Sequence, residues 1–174
     1  MFTESPNSNF IVDVYSDPIC LRIKGRANYL NCAPVNDFFN TITQKNNITI
    51  MVDLAECTGM DSTFLGLLAG VALEFKKQDK KSTIYLTNVN NRNLESIENL
   101  GLNLILKVNP SEDTLAPHNI LNKLQYLNTS KTASPETILQ AHQNLVHAQP
   151  ANSHKFQDVI SFLKKQISQD NSFQ

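Results

Sequence analysis

The chain has 174 residues, with 15 Lys and Arg against 16 Asp and Glu, a formal net charge of −1, 41% hydrophobic residues and 18% charged residues. That balance leaves no global electrostatic pull toward nucleic acid or an anionic membrane surface, so proteins are the expected partners. A chain of this length folding as one unit buries roughly 70% of its extended surface without a disulfide or metal, while the odd, widely spaced Cys20, Cys32 and Cys57 and the N-terminal MFTESPNSNF, which lacks a leader pattern, point to a reducing cytoplasm.

Phe10 to Val14 and Ile19 to Ile23 are short β-type runs around Ser16-Asp17-Pro18, and predict a hairpin. Ala33 to Gln44 carries Val35, Phe38, Phe39 and Ile42 at helical spacing, and Lys45-Asn46-Asn47 ends the helix. Ile48, Ile50, Val52 and Leu54 then give period two, with Met51 making the middle continuously apolar, as in a central strand covered on both faces. Glu56-Cys57-Thr58-Gly59 breaks this pattern and reads as a short polar loop. A helix opens at Asp61-Ser62-Thr63, with Asp61 or Ser62 as N-cap, and its apolar stripe is Phe64, Leu67, Leu68, Val71 and Phe75.

In that helix Gly66, Ala69, Gly70 and Ala72 thin the surface for close packing on a sheet. The longest apolar run, Phe64 to Leu73, is shorter than the ~20 residues that cross a bilayer, so Gly66-x-x-x-Gly70 is expected to be a sheet-packing device and not a membrane dimer motif. Lys76, Lys77, Lys80 and Lys81 gather at the helix end as solvated charges that complement the dipole. Ser82 to Leu86 is the next strand, Asn90 to Leu100 a helix stopped by Gly101, and Leu102 to Val108 a further strand, so the order is ββαβαβαβ.

Beyond Pro110 the composition shifts toward Asn, Gln and all four histidines, His118, His142, His147 and His154. Ile120, Leu121, Leu124 and Leu127 predict a short helix, and Asn128 to Ala133 a polar linker. Ser134-Pro135-Glu136 supplies a cap, a first-turn proline and a first-turn acid. Ile138, Leu139, His142, Leu145 and Val146 form one stripe and, after Pro150-Ala151-Asn152, Phe156, Val159, Ile160, Leu163 and Ile167 form another. Two such helices make an antiparallel hairpin that must bury its stripes on its own core, on a second copy in a homodimer, or on a partner.

Several of these residues together carry a family resemblance. Asp53-Leu54 ending a strand, Met60-Asp61-Ser62-Thr63 opening the next helix and Leu65-Gly66-Leu67-Leu68 inside it resemble the signature of the STAS domain, the fold of bacterial anti-sigma factor antagonists. Ile23-Lys24-Gly25-Arg26-Ala27-Asn28 resembles the family's Gly-x-hydrophobic-Asp/Asn element at the end of its second strand. The resemblance covers about Phe10 to Asn109. It departs at Thr63-Phe64-Leu65-Gly66, where many antagonists have Ser-Gly-Leu-Gly, and at Ala27, where a larger aliphatic residue is common. The expected fold is therefore an α/β STAS fold, a mixed sheet with helices packed on it over residues 1–110, followed by a helical extension over 111–174. A response-regulator receiver domain, suggested superficially by Asp53, Met60-Asp61, Lys107 and Pro110, would need a helix between its first two strands and a magnesium-binding acidic pair after the first; this chain has neither.

The resemblance implies a phosphoacceptor at Ser62 and a partner-binding surface of Asn28, Thr58, Gly59, Met60, Asp61, Thr63 and Phe64. The implied partners are an anti-sigma factor that is also a serine kinase of the histidine-kinase-like ATPase type, and a serine phosphatase. Physical chemistry is compatible with this, because a helix start offers free N–H groups and a positive dipole end to a phosphate. The alternative is a non-switching scaffold or dimerisation module acting through its C-terminal helices, with Ser62 only a cap. Asp61 has no histidine, cysteine or second carboxylate beside it in the motif, so it is read as a cap and recognition residue. Cys57 is read as a loop thiol, and His142 and His147, five apart, lie on different helix faces, so no metal, cofactor or enzymatic activity is expected.

Overall fold

The computed structural model describes residues 9–78, 81–111, 123–128 and 130–173. The first two β runs pair as expected: β1 (Phe10–Asp13) lies antiparallel to β2 (Ile19–Ala27), with Phe10 opposite Ile23 and Asp13 opposite Cys20. The Asp13 carboxylate accepts the Tyr15 and Ser16 N–H groups and shapes the turn. α1 (Ala33–Ile42) buries Val35, Phe38, Phe39 and Ile42. β3 (Thr49–Met60), α2 (Ser62–Lys77), β4 (Thr83–Thr87), α3 (Asn91–Asn99) and β5 (Lys107–Val108) follow in the expected order. β2, β3, β4 and β5 are mutually parallel. Ile50, Val52 and Leu54 of β3 are fully buried, and Met51 on the opposite face is 8% exposed, so both faces of the central strand are covered.

Four expectations are corrected. Glu56-Cys57-Thr58-Gly59 is not a loop: β3 runs on to Met60 and pairs with β2 out to Ala27, through register shifts that absorb the polar stretch. Leu102 to Val108 is not one strand. After Gly101, left-handed at φ 68°, Leu102–Leu104 forms a 3-10 turn and only Lys107–Val108 pairs.

The predicted helix around Leu124 and Leu127 is instead β6 (Gln125–Tyr126), antiparallel to the outer edge of β1, which gives a sheet order of β5-β4-β3-β2-β1-β6. Ile120 and Leu121 lie outside the described residues, as does Lys80.

The fourth correction concerns the small residues of α2. α4 (Pro135–Ala148) lies against α2, and α5 (Ser153–Asp170) against α4. A Cβ on Gly66 would stand 2.3 Å from the Ala141 carbonyl oxygen, and one on Gly70 would stand 2.5 Å from the Asn144 carboxamide nitrogen. The Gly66-x-x-x-Gly70 face therefore receives a helix, not the sheet. Asn144 Nδ2 seals the contact by donating to the Gly66 carbonyl at 3.1 Å.

The hairpin is thus seated on its own core. Ala141, His142 and Leu145 are its buried stripe, and Ser134 caps α4 by accepting from Thr137 N–H. At the turn into α5, buried Asn152 donates to the carbonyls of Leu100 and Leu145, at 3.0 and 2.9 Å, which fastens the hairpin to the end of α3. Among the described residues no helix is long and apolar enough to cross a membrane.

Candidate functional site

Met60 pairs with Ala27 at the ends of two parallel strands, and the chain must then turn into α2. Asp61 makes that turn in an extended conformation, φ −89° and ψ 173°. Its N–H donates to the Ala27 carbonyl at 3.1 Å, its Oδ1 accepts Phe64 N–H at 2.8 Å as the helix cap, and its Oδ2 accepts Tyr29 N–H at 2.9 Å. One carboxylate thus welds the start of α2 to the loop after β2. That loop is shaped by its asparagines: the Asn28 side chain accepts Leu30 N–H, the Asn31 side-chain oxygen accepts Asn28 N–H, and the Asn31 amide donates to the Arg26 carbonyl. Tyr29 and Leu30 project outward, 46% and 51% exposed.

Since Asp61 is the cap, Ser62 is the first helical residue, half-buried, and its hydroxyl has no capping role. Its Oγ lies 3.0 Å from His142 Nε2 on α4. The other ring nitrogen, Nδ1, lies 2.8 Å from the Ile138 carbonyl oxygen. A carbonyl can only accept, so Nδ1 carries a proton, and in the neutral ring Nε2 is the acceptor for the Ser62 O–H. His142 is 5% exposed and packs edge-on against Phe156 of α5, with ring centroids 5.0 Å apart. The fold therefore sets a hydroxyl beside an imidazole held by a backbone carbonyl, a pairing of hydroxyl and base that the linear spacing of the two residues does not suggest. A cleft of about 370 Å³ beside α2, lined by residues such as Asn40, Glu74 and Asn144, includes neither Ser62 nor His142.

The proposed partner-binding residues divide in two. Thr58 is exposed and Asn28, Met60 and Asp61 are half-buried at this end of the sheet, beside Ser62. Gly59 is buried within β3. Thr63 is 3% exposed and Phe64 0%, with the Phe64 ring stacked on Phe10 at 5.8 Å, so their side chains belong to the core and cannot meet a partner. The bulk of Phe64, which departs from the antagonist pattern, is absorbed inside. Tyr29, Leu30 and His142 are the site residues that the sequence reading missed. The first two directly follow Asn28 and are apolar in a polar loop, a legible signal; the third is 80 residues from Ser62.

The thiols around the site are quiet. Burial, reinforced by the Asp61 charge, pushes Cys32 up to about 12. Burial likewise raises Cys57, which is a strand residue bonded to the Gly59 carbonyl and not a loop thiol. The far end of Cys57 is held from α3, since Asn90 and Asn93 both donate to its carbonyl. Lower in β3, burial works to raise Asp53, but hydrogen bonds from Asn88, Ala55 N–H and Arg22 outweigh it and hold the carboxyl below its ordinary range.

Against known proteins, the STAS domain family profile matches residues 9–115. No curated protein matches the chain. Among solved structures, the anti-sigma factor antagonist SpoIIAA in its unphosphorylated form aligns over 60% of this chain and 91% of its own, at 15% identity and a TM-score of 0.47. The Bacillus cell fate determinant SpoIIAA in its phosphorylated form aligns over 60% and 95%, at 16% identity and 0.47. Protein tm1081 of Thermotoga maritima aligns over 55% and 82%, at 16% identity and 0.46.

Proposed function

The chain belongs to the STAS domain family, and from that premise we propose that it is an anti-sigma factor antagonist of the cytoplasm, a non-enzymatic binding module switched by phosphorylation of Ser62. Unmodified, the surface formed by Asn28, Tyr29, Leu30, Thr58, Met60 and Asp61 docks onto an anti-sigma factor that is also a serine kinase, and docking releases the sigma factor. The kinase transfers the γ-phosphoryl group of ATP to Ser62 Oγ: the O–H bond breaks, an O–P bond forms, and ADP leaves with the electrons of the broken bridge.

The modified side chain carries about −1.5 to −2 charges. Placed at the first turn of a 16-residue helix, this charge is tolerated by the domain itself. Within the complex it would have to be desolvated against the partner, and a few kcal/mol there changes affinity by orders of magnitude. A serine phosphatase reverses the switch.

The observation that carries this reading is half-buried Ser62 at the start of α2, its hydroxyl free of capping duty because Asp61 fills that role, beside an outward-facing loop bearing Tyr29 and Leu30. The test is affinity capture from the native host with the wild type and with Ser62→Ala and Ser62→Asp, together with phosphate incorporation. Ser62→Ala is expected to abolish incorporation and retain the partner, and Ser62→Asp to lose the partner. Undiminished incorporation in Ser62→Ala would refute the site.

The alternative, a non-switching scaffold, draws on Phe162 of α5, 65% exposed on the outermost helix. It expects no phosphorylated species by intact mass in any growth state.

A further inference from the structure

We infer that His142 is the intramolecular proton acceptor and counter-cation for a phosphate on Ser62, so that phosphorylation locks the α4–α5 hairpin onto the core. This inference rests on Ser62 being the modified residue. Before transfer, His142 Nε2 is the acceptor for the Ser62 O–H across 3.0 Å, and Nδ1–H is committed to the Ile138 carbonyl. When Oγ attacks the γ-phosphorus of ATP, its proton has a base already in place. It moves to Nε2, the ring becomes an imidazolium, and the Nδ1–H bond is untouched.

The product is a dianion on α2 beside a cation on α4. An Nε2–H donor facing phosphate oxygens is a charge-assisted hydrogen bond, about twice as strong as the neutral bond it replaces. On the α4 side the bond is sheltered, since His142 is 5% exposed and its ring is backed by Phe156. Neutral His142 would instead aim a lone pair at those oxygens, so the phosphate itself favours the protonated ring.

Two elements are joined by this pair and by little that is flexible. α4 meets α2 through Ala141 against Gly66 and through the Asn144 bond to the Gly66 carbonyl. The turn before α4 is also tied to the site, since Ala133 N–H donates to the Tyr29 carbonyl at 2.7 Å. A stronger Ser62–His142 link therefore reports the state of Ser62 to the whole C-terminal hairpin and back to the loop that carries Tyr29 and Leu30.

The experiment uses the full chain with phosphoserine introduced at position 62 during translation, in wild-type and His142→Gln backgrounds, so that no kinase is needed. Ring nitrogen NMR at neutral pH is expected to show His142 with one unprotonated nitrogen before modification and two protonated nitrogens after it. Amide exchange across residues 135–148 is expected to slow at least roughly tenfold on modification in the wild type, and by less than about twofold in His142→Gln. An Nε2 that stays unprotonated, an equal gain in both backgrounds, or faster exchange on modification would overturn the inference. Circular dichroism of His142→Gln verifies that the variant is folded, and the ring spectrum decides the question without it. Because the phosphoserine is incorporated during translation and needs no kinase, failure here leaves the partner-capture result standing, and failure of partner capture leaves this one interpretable.

Discussion

Replacing Gly66 with alanine measures how closely α4 is seated on α2. The added Cβ would lie 2.3 Å from the Ala141 carbonyl oxygen, 2.6 Å from its carbonyl carbon and 2.8 Å from its Cα. These are backbone atoms of a helix and cannot swing aside, so restoring an ordinary contact of 3.4 Å requires α4 to retreat by about 1 Å. Retreat strains or breaks the Asn144 bond to the Gly66 carbonyl, worth about 0.5–1.5 kcal/mol. It also loosens the packing of Ala141 and Leu145, both fully buried, and overpacking of this kind costs about 1–3 kcal/mol. Alanine's better helix propensity returns about 0.8–1.0 kcal/mol. The net expectation is a loss of roughly 1–3 kcal/mol in urea denaturation, with faster amide exchange concentrated in α4. Gly70→Ala is the control, because its Cβ meets only the movable end of the Asn144 side chain and propensity offsets the lost bond, for a net change within about 0.5 kcal/mol. A Gly66→Ala protein with unchanged stability and unchanged α4 exchange, or a Gly70→Ala protein that suffers more, would refute the close helix contact.

Asn152→Ala leaves the Leu100 carbonyl without its side-chain donor and the Leu145 carbonyl with the Gln149 N–H alone, and is expected to cost about 1–3 kcal/mol by thermal denaturation. Asp61→Ala removes the α2 cap and the partner of Tyr29 N–H together; about 1–2 kcal/mol is expected, with Asp61→Asn recovering most of it. The Asp53 carboxyl is held below the ordinary carboxylate range in the folded state, so its contribution is fully present above the unfolded value and is lost as pH falls through the lower folded value. Wild-type stability measured in urea should therefore drop more steeply below pH about 4 than that of Asp53→Asn.

What could be read from the chain alone was what local periodicity and turn chemistry encode. Phe38 and Phe39 with Ile42 announced α1, Gly101 announced the end of α3, and alternation from Ile48 to Leu54 announced the central strand. The end of β3 was hidden because a register shift against β2 leaves Ala55 and Glu56 both exposed, which puts Cys57, Thr58 and Gly59 out of phase with the alternation from Ile48 to Leu54. β6 is two residues long and exists only through its pairing with β1, so no local signal could mark it. His142 was visible as one member of an apolar stripe, but its partner depends on how α4 lands on α2. Gly66 and Gly70 were recognised as a close-packing face; what approached them was a second helix, a choice that only the tertiary fold makes.

The pairing of β6 with β1 also bears on how the N-terminal strand survives in water. Ile11 and Val12 face Tyr126 and Gln125, and Leu127 N–H donates to the Phe10 carbonyl at 3.0 Å, so the four-residue strand FIVD has no open rim where β6 lies. Stripped of everything after residue 110, that strand would offer bare amides and carbonyls along an apolar ribbon, a template for strand-to-strand association between molecules. A fragment ending where the family match ends, at residue 115, would lack β6, and is expected to self-associate more than the full chain by light scattering.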